Sequence, residues 1–246
     1  MPEASSRFFK SERQWIWLLC GLAAVRLFIF SAAFPFFNNV DEMLHFDLIE
    51  KYSRGHVPRD LEEVSPESIN YLKIYALPTR EFYERTNFSL PARAQLPETN
   101  SPLPEELAFW PREQNYESSQ PPVYYALAGA WWRLGKLLKM DGLPLLYWLR
   151  FLNILIVSIL VWLGWIIARE IFPENKFIRV AVAAIIAFMP QTTFYSVTND
   201  VLSPLAFGSA FLLLLKYTAA NMADLRLAAL AGLTLAATYL VKISNL

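Results

Sequence analysis

The chain has 246 residues, 55% of them hydrophobic and only 18% charged, with 22 Lys plus Arg against 22 Asp plus Glu. That composition is far from a water-soluble domain and reads as a polytopic membrane protein. A formal net charge of +0 removes the electrostatic argument for nucleic acid, and the single Cys20, inside an apolar run, can form no intrachain disulfide and says nothing about redox compartment.

The first apolar run, 15–37, exceeds the roughly 20 residues needed to cross about 30 Å of hydrocarbon. It is too long for a cleavable signal and lacks a small-residue cleavage site, so it is expected to stay as an anchor. Directly behind it the chain reads Asn38-Asn39-Val40-Asp41-Glu42-Met43-Leu44-His45, which sets two adjacent carboxylates and an imidazole at the membrane's edge. Such groups lose hydration, and neighbouring carboxylates repel, so both want a cation or a proton nearby. A site is the leading hypothesis there.

A polar insert, 38–120, follows and is too long for a mere connector. Asp41 can cap a helix running to about Arg54, with Leu44, Leu48 and Tyr52 on one stripe and Gly55 and Pro58 stopping it. That helix is expected along the membrane surface. Ser65-Pro66-Glu67 signals a second helix, a cap with proline at the first helical position. The prolines of 91–111 predict a draped loop, and the Asn87-Phe88-Ser89 sequon is read as chance.

Further spans are predicted at 143–168, 177–198, 201–219 and 225–243, and a shorter run, 121–138, carries Arg133 and Lys136. Tyr124, Tyr125, Trp131 and Trp132 fit an aromatic belt at the interface. No repeat or heptad is found. The chain thus divides into 1–37, the N-terminus and first span; 38–120, an outer-face loop with juxtamembrane helices; and 121–246, a helical bundle. Arg7, Lys10 and Arg13 place the N-terminus inside, and Arg169, Lys176, Arg179, Lys216 and Arg226 place two later connections there too. Asn199-Asp200 and Lys242 then emerge on the outer face with Asp41. Three apolar segments separate Glu117 from Asp200, an odd number, so 121–138 is expected to lie shallow or re-enter.

Five landmarks in this order resemble the GT-C membrane glycosyltransferases: Asn39-Val40-Asp41-Glu42 with His45; Tyr116-Glu117-Ser118-Ser119-Gln120-Pro121-Pro122-Val123-Tyr124-Tyr125; Arg150 opening a span; Pro190-Gln191 with Asn199-Asp200; and Lys242. The nearest likeness is to the protein O-mannosyltransferase and aminoarabinose-transferase-like branch, family 39, and to related bacterial membrane proteins. The likeness covers only the N-terminal part of such an enzyme, so a fragment, or a chain completed by a partner, is expected. It implies an all-α, GT-C-like bundle in a bacterial inner membrane, N-terminus inside.

The resemblance implies Asp41 as the base that deprotonates the acceptor, with Glu42 assisting or orienting it; the bland alternative is helix capping by Asp41 and a favourable dipole contact for Glu42. His45 lies one turn on and either binds substrate or is an interfacial histidine. Glu117 and Gln120 either contact the acceptor or donor headgroup, or are a solvated loop charge and a neighbour of a helix start. Gln120 stands where many relatives carry His, a departure that puts a metal ligand there in doubt. Asp200, with Asp41, implies a divalent cation, Mg²⁺ or Mn²⁺, against a plain turn before the next helix. Lys242 implies a polyprenyl-phosphate contact, against snorkelling. Arg26 and Arg150 need anionic partners, a phosphate or a loop carboxylate for the latter. The expected activity is inverting transfer of a sugar from a polyprenyl-phosphate donor in the membrane lipid to an acceptor of unknown kind. The alternatives are a non-enzymatic lipid-linked-sugar transporter or assembly subunit, or an inactive remnant.

Overall fold

The computed structural model describes residues 11–39, 41–76, 114–189 and 194–243. The proline-rich stretch, the sequon and Pro190-Gln191 lie outside them. In chain order the elements are α1 (Glu12–Ala33), α2 (Glu42–Ser53), β1 (Glu62–Glu63), α3 (Pro66–Tyr75), β2 (Gln114–Asn115), a 3-10 turn (Tyr116–Ser119), α4 (Pro122–Leu137), α5 (Gly142–Ile171), α6 (Lys176–Phe188), a second 3-10 turn (Asn199–Val201), α7 (Ser203–Ala219) and α8 (Leu225–Val241). The fold is an all-α membrane bundle, and three helical stretches among the described residues, Glu12–Ala33, Gly142–Ile171 and Asn199–Ala219, are long and apolar enough to span. The one sheet among the described residues is the antiparallel pair β1–β2, with Glu62 opposite Asn115.

Local rules account for the element ends. Pro35 forces Phe34 into extended backbone and stops α1. Gly55, at φ +83, ends α2: its N–H reaches Tyr52 O at 2.9 Å and that of His56 reaches Lys51 O at 3.1 Å, the paired bonds of a left-handed helix stop. Ser65 caps α3 by accepting from Ser68 N–H, and Pro66 fills the first helical position. Gly129 lets α4 approach α2 closely, since a Cβ there would sit 3.0 Å from the Ser53 nitrogen.

α1 and α5 run antiparallel. Glu12 at the start of α1 accepts from Arg179 Nε at 2.9 Å and from Trp165 near the end of α5, while Arg150, on the early part of α5, donates to Ser31 O at 3.2 Å and Phe34 O at 2.7 Å. Lys216 lies 3.9 Å from Glu170, so the end of α7 shares that basic end of the bundle. The acidic loop residues lie at the other.

Four expectations need correction. The run 177–198 is not one spanning helix: α6 has 13 residues, a rise of about 20 Å against about 30 Å of hydrocarbon. Met189 leaves the helix ahead of Pro190, and residues 194–198 continue as buried, non-helical chain. Hydropathy summed over 22 residues does not see such a break. Irregular backbone at membrane depth must find its bonds inside the protein, and here Asn153 of α5 donates to Phe194 O at 3.0 Å and Ser196 O at 2.7 Å.

Secondly, α2 does not bury a single apolar stripe; all but a few of its residues are buried, the polar Asp47, Glu50 and Lys51 included. Its polar side chains are satisfied at long range, which a stripe of Leu44, Leu48 and Tyr52 cannot foretell. Thirdly, Tyr124, Tyr125 and Trp132 form core rather than an interfacial belt, at 1%, 0% and 0% exposure. Phe46 of α2 packs against Trp132 with ring centroids 5.3 Å apart. Lastly, Arg150 does not open a span; it sits inside α5, beyond its first two turns, and is wholly buried. At 16 residues α4 rises about 24 Å, too short to need a crossing.

Candidate functional site

The break behind α1 turns the chain so that Glu42 faces Arg150. Arg150 Nε and Nη2 donate to Glu42 Oε1 at 3.1 and 2.9 Å, and Nη2 also to Oε2 at 2.9 Å. The remaining guanidinium donors go to Ser31 O, Phe34 O and Pro35 O, and the Phe36 ring stacks 4.0 Å from the guanidinium carbon. Glu42 accepts further from Phe37 N–H at 2.8 Å and Val197 N–H at 3.0 Å. This buried cluster ties the end of α1, the start of α2, α5 and the 194–198 segment together. It uses all five guanidinium hydrogens, so Arg150 has none left for a phosphate, and Glu42 is an anchor rather than an open carboxylate.

Asp41, next in line, is different. It stands at the N-cap of α2 in left-handed backbone, φ 62, and its side chain makes no cap hydrogen bond. Capping therefore does not explain its carboxylate. It is partly exposed and receives the phenol of Tyr116, which lies on the 3-10 turn after β2. The left-handed backbone is one that Asp adopts readily, and the carboxylate is left uncommitted to the helix it starts.

Around it the structure gathers residues from four separate parts of the chain. His45 is 6% exposed, with Nδ1 2.8 Å from Tyr125 Oη and 3.7 Å from Glu117 Oε2. Glu117 is 8% exposed, not a solvated loop charge, and is hydrogen-bonded by Gln120. Gln120 Oε1 accepts from Asn199 Nδ2 at 3.2 Å. Asp200, beside Asn199, pairs with Lys242 at the end of α8. The charges of Asp41, Asp200 and Lys242 all act on both His45 and Glu117. The predicted residues Asp41, His45, Glu117, Gln120, Asp200 and Lys242 thus share one polar patch, while Glu42 and Arg150 form the buried anchor behind it.

Burial pulls the pKa of His45 down to about 4, outweighing the two aspartates that raise it. Burial and the charge of Asp41 push Glu117 above the usual carboxylate range. The imidazole is thus neutral at pH 7 and refuses the proton that a free ring takes up near pH 6.5. Nitrogen-15 spectra of the two histidines check this: the His45 ring is expected to keep its neutral shifts from about pH 8 to about pH 5. A midpoint near 6.5 contradicts its burial against Tyr125 and Glu117.

The expected cation pair Asp41 and Asp200 finds no third ligand. Among the described residues no three His, Cys, Asp or Glu side chains come close enough to hold a metal ion, and Asp200 is paired with Lys242. The residues present therefore do not fit a resident divalent cation.

Other side chains of the site escaped sequence reading. Tyr116 and Tyr125 stand in the second landmark, Tyr125 also in the expected aromatic belt, and neither is given a role in the site by the sequence. Asn115 and Asp47 hold the site from behind, and their one sequence signal is the i,i+4 spacing of Asp47 to Lys51, 2.9 Å apart. Asn153 could have been suspected as an amide inside an apolar span.

The model of a family described as predicted membrane protein (DUF2142) matches residues 25–245. No curated protein and no solved structure matches.

Proposed function

The chain belongs to the DUF2142 family of predicted membrane proteins, and on that premise we propose that its polar patch transfers a sugar from a polyprenyl-phosphate donor to a hydroxyl or amine acceptor at the outer face of the membrane. One observation carries the reading: carboxylates at 41, 117 and 200, an imidazole at 45 and an ammonium at 242 meet at one end of the bundle, opposite the basic end. The basic end is assigned to the cytoplasm because such flanks collect Lys and Arg. This leaves the patch outside, for a bacterial protein on the periplasmic side of the inner membrane.

The chemistry follows from the residues. The acceptor displaces the Tyr116 phenol and gives its proton to Asp41, a base that is partly exposed and not committed to a cap. Its oxygen or nitrogen attacks the anomeric carbon, the carbon–phosphate-oxygen bond breaks, and the lipid phosphate leaves with the electron pair. Direct displacement inverts the anomeric centre. Lys242 faces the departing phosphate and stabilises its charge, releasing Asp200 in exchange. Glu42 and Arg150 act as positioning residues by fixing the backbone on which Asp41 stands.

No step is routed through a metal. Purified protein in lipid nanodiscs, given a radiolabelled polyprenyl-phosphate sugar, is expected to release label at a rate that changes less than about twofold in excess chelator. A loss of more than about tenfold, restored by Mg²⁺ or Mn²⁺, would transfer the role of Lys242 to an ion carried in by the phosphate.

A further inference from the structure

Glu117 is fixed from behind by buried groups and keeps one carboxylate oxygen without a hydrogen-bond partner. Its backbone N–H donates to Asn115 Oδ1 at 3.0 Å. The Asn115 amide in turn donates to Leu44 O at 2.9 Å and to Asp47 Oδ2 at 2.8 Å. Asn115 and Asp47 are both 0% exposed. Asp47 also accepts from Ser65 N–H at 2.8 Å and pairs with Lys51, so α3, β2 and α2 are bound through one carboxylate. The turn carrying Glu117 is thereby tied to the α2 carbonyl just before His45.

At the carboxylate the situation is reversed. Gln120 hydrogen-bonds the Glu117 carboxylate, yet Oε2 is buried without a hydrogen-bond partner. Unsatisfied buried carboxylate oxygens are rare, and one held rigidly beside a proposed reaction centre calls for a donor. The neighbouring cation Lys242 is occupied by Asp200. His45 Nδ1 is engaged by Tyr125 and, at 3.7 Å, is too far from Oε2 for a hydrogen bond. A phosphate entering this corner meets the charges of Asp41 and Asp200 beside Glu117. An ammonium would have to shed its hydration in a place that already keeps an imidazole neutral.

We propose that Glu117 Oε2 accepts a hydrogen bond from an uncharged hydroxyl of the ligand, with Asn115 as the residue that positions it, and that a lipid phosphate stays on the Lys242 side of the patch. The ligand class at this corner is a polyol, either the sugar ring of the donor or an acceptor alcohol. The identification of the ligand rests on the glycosyl-transfer reading; the place of the hydroxyl does not.

Equilibrium binding to protein in nanodiscs tests this with three probes: a short isoprenyl-phosphate sugar, the same isoprenyl phosphate without sugar, and a methyl glycoside. Glu117→Ala is expected to weaken the sugar-bearing lipid at least tenfold and to leave the bare isoprenyl phosphate within twofold. Glu117→Gln, which retains an acceptor oxygen, is expected to stay within about threefold, and Asn115→Ala to follow Glu117→Ala. Lys242→Ala is expected to weaken both phosphates and spare the methyl glycoside. Equal losses for both phosphates in Glu117→Ala, or no loss for any probe, overturn the proposal. Binding of the methyl glycoside alone, dependent on Glu117, assigns the hydroxyl to an acceptor and defeats the lipid-donor reading while this inference stands. A wild-type protein that takes none of the three overturns both.

Discussion

Asp41→Asn is expected to lower sugar transfer by about 10²- to 10⁴-fold, the usual contribution of a positioned general base, while membrane yield and thermal stability stay at wild-type levels. The structural half of that statement follows from the local geometry. Asp41 makes no cap hydrogen bond, so the helix behind it loses nothing. Its left-handed backbone suits Asn as well as Asp, and the amide oxygen can still receive the Tyr116 phenol. What disappears is the capacity to hold a proton. Release of label from the lipid-linked sugar, compared at equal amounts of purified protein, measures the effect. Near-normal turnover would remove Asp41 as base, and absence of label release by the wild-type protein would favour a protein that carries or assembles lipid-linked sugars without reacting them. A parallel fall in yield would show that the carboxylate is structural after all.

Arg150→Met is expected to have the largest effect on stability. The side chain is entirely buried and meets Glu42, itself 1% exposed, in a two-pronged pair. Removing one partner of a buried pair typically costs about 3–5 kcal/mol, because the other charge stays behind. Here the carbonyls of Ser31, Phe34 and Pro35 lose donors as well. Because the same cluster holds Val197 against Glu42, the loss should also loosen the segment leading to Asp200. Thermal unfolding in detergent is expected to show a much lower midpoint for Arg150→Met. Adding Glu42→Gln should cost less than the sum of the two single changes, since it removes the stranded charge. A midpoint within a degree or two of wild type, or strict additivity, would mean that the pair does not anchor the start of α2.

Much of this arrangement is legible in the sequence, and the parts that are not share a physical reason. The helix beginning after Asp41, the Gly55 stop and the Ser65-Pro66 start depend on residues within a turn of each other and appear as read, while the first span, read from hydropathy as 15–37, is the helix Glu12–Ala33. The gathering of residues 41, 117, 200 and 242 was legible from counting apolar segments, although the segment read as 177–198 has helix only to Phe188 and non-helical chain at 194–198. The interruption of α6 was not legible, because its cost is met by Asn153, 41 positions from Phe194 in the sequence. Nor was the burial of α2, whose Asp47 is satisfied by Asn115, 68 positions away. The partner of Arg150 was foreseen as a phosphate or a loop carboxylate, and only three-dimensional proximity chooses Glu42. Tyr125 shows the same limit from another side: an aromatic near an apolar boundary reads as a lipid-facing belt until His45 supplies the partner for its hydroxyl.

Photolabelling tests the account most directly. A polyprenyl-phosphate sugar bearing a diazirine on the sugar ring, irradiated with the wild-type protein in nanodiscs and mapped by mass spectrometry, is predicted to attach within 41–45, 116–120 or 199–200. Excess unlabelled donor should suppress these adducts. Adducts confined to the opposite, basic end of the bundle, around 169–179 and 216–226, or scattered over the lipid-facing helices and insensitive to competition, would contradict it.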